Sequence, residues 1–217
     1  MNAKIIKGIG LVLFVVLLSN KGATCADNDL KLRMGVEMEK ELSKKLTVHL
    51  LPEIRLLSKH EIEEFFLETG LSYDVFKFLK VSGYYRAYFT ESDVITNRFA
   101  LDVKPSWKQK GLKIQYRIRF ANYTDFDLET IDKSNYIRNR IKLEYKISKV
   151  GLNPYIASEI FYHGGNKEFN KIRYVTGLKV KLNKATDLSA YYMRQKKLTG
   201  KKDYANYLGL SFKVAID

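Results

Sequence analysis

Arginine and lysine alternate with apolar residues along much of this chain. The pattern is densest at Leu112, Ile114, Tyr116, Ile118 and Phe120, between which stand Lys113, Gln115, Arg117 and Arg119. Residues two apart on an extended strand share a face, so these cations gather on one side. The corresponding face of the other segments carries Arg86, Arg98, Arg138, Arg140 and Arg173, together with Lys80, Lys104, Lys142, Lys146, Lys179 and Lys181. Its acids are Glu68, Asp74, Asp102, Glu144 and Glu159, so fourteen cations meet five carboxylates. The chemistry open to such a face is attraction and holding of anions, or an interior of paired charges.

Bond-making chemistry has less footing. A hydrolase at a membrane surface needs a nucleophile, a base and usually an acid close together. The three histidines, His49, His60 and His163, lie in separate segments, and only His60 and His163 fall in loops expected at the same rim. No Gly-x-Ser-x-Gly, His-Glu-x-x-His or phosphate-loop motif occurs, and no EF-hand spacing. The one cysteine, Cys25, lies in or beside a segment expected to be removed. No catalytic residue, metal centre or cofactor is expected, and the chain is read as non-enzymatic.

The charged face needs an element to carry it. From about Leu46 to Ile216 the chain repeats one unit, roughly ten alternating residues and a turn, which is how a membrane β-barrel is written. Ten strands can be drawn: Leu46 to Leu57, Glu63 to Asp74, Leu79 to Thr90, Ile95 to Trp107, Leu112 to Tyr123, Tyr136 to Ile147, Asn153 to His163, Phe169 to Leu182, Leu188 to Lys196 and Tyr204 to Ile216. The fold class expected is an all-β, antiparallel, up-and-down transmembrane barrel of about ten strands, with twelve as the alternative. Short turns at Val75 to Phe78, Lys108 to Gly111, Ser148 to Leu152 and Asn183 to Asp187 alternate with longer connections, among them Thr124 to Asn135. Pro52 falls inside the first strand and predicts a bulge or a shorter strand there.

Residues 26–45 are the ambiguous piece. Leu30, Leu32, Met34, Val36 and Met38 alternate as a strand would, but an eleventh strand breaks the even count of bacterial single-chain barrels. The segment is therefore read as lying in the lumen, capping the periplasmic mouth, or pairing with a further unseen strand.

Residues 1–25 read as a signal peptide: Lys4 and Lys7 precede an uncharged run from Gly8 to Ser19, too short to span a bilayer as a helix. With the segment removed the net charge falls from +14 to +11, because it carries Lys4, Lys7 and Lys21 and no acid. The domain plan is thus 1–25 signal, 26–45 N-terminal segment and 46–217 barrel. The expected location is the outer membrane of a Gram-negative bacterium. Partners would be outer-membrane lipids and lipopolysaccharide, the barrel-assembly machinery, and an anionic solute. The cations stand singly between apolar residues, so nucleic acid is not a partner. Aromatics near strand ends, namely Phe65, Tyr73, Phe89, Trp107, Phe120, Tyr136, Tyr145, Tyr162, Phe169 and Tyr174, predict interfacial girdles. Acids at Glu61, Glu63, Glu64, Glu91, Asp93, Asp125, Asp127, Glu129 and Asp132 predict an acidic outer-loop surface.

Several runs together resemble the DUF2490 family, predicted outer-membrane barrels common in Bacteroidetes. They are Phe65-Phe66-Leu67-Glu68-Thr69-Gly70-Leu71-Ser72-Tyr73 with Gly83-Tyr84-Tyr85-Arg86, Arg138-Asn139-Arg140-Ile141-Lys142-Leu143-Glu144-Tyr145, Asn153 to Tyr162 and Ile172 to Leu178. The resemblance implies an exported barrel and carries no catalytic residues. The chain departs from the usual barrel ending in finishing on Asp217 instead of an aromatic residue. Function is accordingly read as a narrow channel, or a structural or binding barrel, with a basic lumen. The alternatives are a lipid-modifying enzyme of the outer membrane and a soluble secreted barrel, the latter requiring the Arg and Lys face to point outward.

Overall fold

The structure, a computed structural model, describes residues 30–57, 61–89, 95–126, 131–147, 151–200 and 203–216. The segment read as a signal peptide and the chain terminus Asp217 lie outside them. Eleven strands close a barrel: β1 (Leu30–Glu41), β2 (Leu46–Leu56), β3 (Ile62–Phe76), β4 (Leu79–Phe89), β5 (Ile95–Gln109), β6 (Leu112–Phe126), β7 (Ile131–Tyr145), β8 (Leu152–His163), β9 (Glu168–Lys181), β10 (Thr186–Lys197) and β11 (Tyr204–Ile216).

The N-terminal segment is neither a plug nor a cap, and the expected ten strands become eleven. Leu30–Glu41 pairs antiparallel with β2 on one side and parallel with β11 on the other, from Leu30 opposite Asn206 to Lys40 opposite Ile216. In a chain of consecutive hairpins every second strand runs the same way, so an odd-numbered barrel closes on a parallel pair. That closure removes both free edges of the sheet.

Along every strand the apolar set faces out. Leu71, Phe99, Leu101, Phe120, Ile141, Ile156 and Tyr174 are all about half exposed on the exterior. The exterior is thus a broad apolar surface, the reverse of a barrel whose apolar side chains fill its interior. Asparagines on the outer face are masked by phenols. Tyr85, Tyr116 and Tyr192 each donate to an asparagine Oδ1 on the adjoining strand, Asn97, Asn139 and Asn206, at 2.6 to 2.7 Å. Tyr73, Trp107 and Tyr145 stand outward at one end of the barrel, and Phe65, Phe89 and Phe169 at the other. Tyr136 is a correction to the expected girdle. It alternates with Arg138 and turns inward, its ring against Tyr123 and His163.

Pro52 makes no bulge. The β1–β2 register is the same on either side of it, but the ladder lapses between Gly35↔Glu53 and Met38↔Leu50, which absorbs the missing N–H. Pro105 sits in a matching lapse of the β5–β6 ladder, four residues inside β5. The expected long loop at Thr124 to Asn135 is also corrected. β6 and β7 stay paired as far as Phe126↔Ile131, and Asp125 lies opposite Asp132 within the ladder. Polar and acidic residues dominate Thr124 to Asn135, which is why the stretch reads as a loop. Connections at the β1–β2 end run two to six residues and at the other end four to six, a weaker sorting than expected.

Inward glycines let large side chains lie flat on the wall. A Cβ on Gly209 would come 2.0 Å from the Tyr191 ring, and one on Gly177 2.6 Å from the Tyr155 ring. An eight-stranded barrel is nearly filled by its side chains. Eleven strands leave a lumen cavity of about 1050 Å³.

Candidate functional site

The cavity runs the length of the barrel, from Lys77 and Lys108 near one mouth to Thr96 and Lys171 near the other. Among the described residues, eighteen Arg and Lys side chains line it against eight Asp and Glu. All seven arginines singled out from the sequence, Arg86, Arg98, Arg117, Arg119, Arg138, Arg140 and Arg173, border it, as do Glu68, Glu144 and Glu159. Asp102 lies behind them with no exposed surface. Lys146 and Lys181 stand exposed at the rim and do not join the lining.

The lining divides into two zones. Around the middle of the barrel runs a belt in which most arginines are committed to carboxylates. Arg86 Nε donates to Glu68 Oε2 at 2.9 Å, and Arg98 shares that oxygen. Arg119 forks onto both oxygens of Asp102, its Nη2 at 2.8 Å from Oδ2. Glu159 takes Arg117 and Arg138, with Arg173 at 3.9 Å. On β1 and β2 Arg33 and Arg55 converge on Glu53, and Arg55 also reaches Glu64. Buried aromatics hold the forks flat. Arg86 stacks 3.5 Å above Phe66, and Arg138 and Arg173 lie 4.4 and 4.6 Å from the Phe161 ring.

The second zone is a lysine vestibule at the β1–β2 end. Lys142 pairs with Glu144 at 2.8 Å, Lys179 with Asp187 at 2.8 Å and Lys213 with Glu39 at 2.6 Å. Lys80 is 3.5 Å from Asp74, both more than a third exposed. Lys104 links the zones, 2.6 Å from the Tyr84 phenol and 3.3 Å from Asp102. Its Nζ also lies 3.3 Å from Ser82, which joins Ser72 at 2.7 Å and through it His49 Nε2 at 2.6 Å. His49 Nδ1 is 3.1 Å from Glu39.

Sequence reasoning left out of its lumen set Arg33 on β1, His49 and Arg55 on β2, Lys171 on β9, Asp187 on β10 and Lys213 on β11, all of which line the cavity, and Glu53, which holds Arg33 and Arg55. Glu37 and Glu39 line it from β1, a strand signalled by the alternation of Leu30 to Met38 but obscured by the odd strand count. Glu64, expected in the acidic outer loops, faces the lumen on β3, and Glu63 pairs with Lys31. His60 lies outside the described residues. His163 Nδ1 accepts the Asn166 N–H at 3.1 Å, a local turn contact.

The arrangement can pass or hold anions, and it can brace the wall. A model of the family described as protein of unknown function DUF2490 matches residues 34–206. The chain belongs to the DUF2490 family. No curated protein matches it. Among solved structures it is similar to an anion-selective porin from Comamonas acidovorans at 9% identity and a TM-score of 0.40, the match covering 77% of this chain and 55% of the porin. The chain therefore spans about half the length of that porin.

Proposed function

We propose that this DUF2490 protein sits in the outer membrane and that its basic lumen is a narrow passage preferring anions. The observation that carries the reading is the pairing of an apolar exterior with one long cavity lined by more than twice as many cations as acids. An outward apolar face suits hydrocarbon. A surplus of cations in a confined lumen lowers the cost of an anion and raises that of a cation. The signal read in residues 1–25 supplies the export route, and the assembly machinery and outer-membrane lipids are the partners this location implies. Short turns usually face the periplasm, which would place the lysine vestibule on that side.

The test is a planar bilayer under a potassium chloride gradient. The expected result is discrete conductance with a reversal potential on the chloride side. A cation-side reversal potential would overturn the reading. The belt favours a second one, a closed barrel braced by ion pairs, because guanidinium groups and carboxylates occupy the middle of the lumen. Folded barrels that give no conductance at all would favour that reading.

A further inference from the structure

At the β1–β2 end of the lumen three side chains with metal-ligand chemistry converge. Glu37 and Glu39 are two apart on β1, so both face the cavity, and His49 stands directly across the β1–β2 ladder from Glu39. The three offer ligand atoms that all lie within 4.8 Å of one another. The imidazole is more than nine-tenths buried, its side chain 8% exposed. Its Nε2 is committed to Ser72 Oγ at 2.6 Å, and the Tyr84 ring packs beside it with the centroids 5.9 Å apart. Nδ1 is different. It is buried and has no hydrogen-bond partner, although Oε1 of Glu39 lies 3.1 Å away and Oε1 of Glu37 3.5 Å. Neither carboxylate stands closely enough in line with the ring nitrogen to hydrogen-bond it.

A buried imidazole nitrogen aimed between two carboxylates, with neither bonded to it, has the geometry of a ligand set. Zinc takes imidazole nitrogen and carboxylate oxygen at about 2.0–2.2 Å, so neighbouring ligand atoms of a tetrahedral shell lie about 3.3–3.6 Å apart and off each other's axis. The separations of 3.1 and 3.5 Å from Nδ1 fit that edge to within a few tenths of an ångström. We infer that Glu37, Glu39 and His49 form a binding site for a divalent transition metal, best fitted by zinc. Two carboxylates balance its charge, and the imidazole counts against magnesium and calcium, which take oxygen ligands. When Nε2–H donates to the Ser72 hydroxyl, the tautomer is fixed with the lone pair on Nδ1, where a metal needs it. Lys213 also holds Glu39 Oε1, at 2.6 Å, but its side chain is 41% exposed and a carboxylate has two oxygens to share. Three protein ligands leave a fourth position open to the cavity for water or an anion. The site would tie β1 to β2 beside the β1–β11 seam that closes the barrel.

This inference goes beyond the anion passage and does not depend on conduction, so it is tested by binding. The untagged barrel, refolded in detergent and stripped with EDTA, is titrated calorimetrically with zinc chloride, magnesium and calcium chlorides being the controls. The expected result is saturable binding of one zinc per barrel, unmatched by magnesium or calcium and weakened at least about tenfold in Glu37→Gln and in His49→Gln. His163→Gln, at the opposite end of the barrel, should bind zinc as the parent does. Saturating zinc should also raise the urea midpoint of the parent and not that of Glu37→Gln, because a ligand held only by the folded state stabilises it. Each variant's heat-dependent gel shift checks that it is folded. Glu37, its side chain 35% exposed, is the substitution the fold tolerates best, and that variant alone suffices for the comparison. No saturable zinc binding, zinc held no better than calcium, or binding unchanged in folded Glu37→Gln would overturn the site and leave an imidazolium clamped between two carboxylates. A barrel that conducts chloride yet ignores zinc loses the site and keeps the passage. One that binds zinc without conducting loses the passage and keeps the site.

Discussion

The arginine belt and the lysine vestibule use the same sign of charge for opposite ends. In the belt, Asp102 is fully buried and Glu68 and Glu159 nearly so, and each is shared by two or more cations. Arginine suits that work, because its fork satisfies several acceptors at once and its flat face stacks on Phe66 and Phe161. In the vestibule, lysines reach toward water on flexible stems and hold single, partly exposed partners. Residue type thus separates a brace from a funnel. Both are basic, and only one is spent on holding the wall together.

The largest expected effect comes from breaking the belt. Asp102→Ala strands Arg119 and leaves Arg117 and Lys104 short of a partner, at a cost of about 3–5 kcal/mol. Asp187→Ala, which frees the half-buried Lys179, should cost about 1 kcal/mol or less. Urea unfolding in detergent micelles measures both, and equal losses would erase the distinction between the zones. Next comes charge reversal in the vestibule. Lys80→Glu with Lys108→Glu should cut the preference for chloride over potassium by about fivefold per charge, the worth of roughly 1 kcal/mol in water at 4 Å. The unfolding midpoint should hold, and bilayer reversal potentials supply the readout. The smallest effect sharpens the comparison without mutation. Raising salt from 0.1 to 1 M shortens the screening length from about 10 to about 3 Å. Selectivity set in the vestibule should fade, whereas stability set by the buried belt should change little. A parallel fall in both would mean that the belt is open to ions.

Much of this was legible in the chain. The run Leu112 to Phe120 stated its two faces outright, and the arginines assigned from it to the lumen, with Glu68 and Glu159, all border the cavity. Legibility failed where an element had no apolar contrast or broke a rule. The β6–β7 hairpin beyond Tyr123 is mostly polar in sequence and read as loop. Leu30–Glu41 alternates well, but an eleventh strand contradicted the even count, and nothing local in the sequence announces a parallel closure. Glu64 looked like loop surface because its lumen partner, Arg55, comes from the neighbouring strand.

By itself the sequence determined the barrel, its apolar exterior and its basic interior, because a period of two is a local property that any strand displays. Which cations would be neutralised was decided only by the tertiary structure. Glu159 meets Arg117 from 42 residues away, and Arg98 meets Glu68 from 30. Such pairings depend on strand register around a closed ring, and closure itself depends on β1 meeting β11 at the far end of the chain. Alternation assigns a side chain to a face, whereas register assigns it a partner.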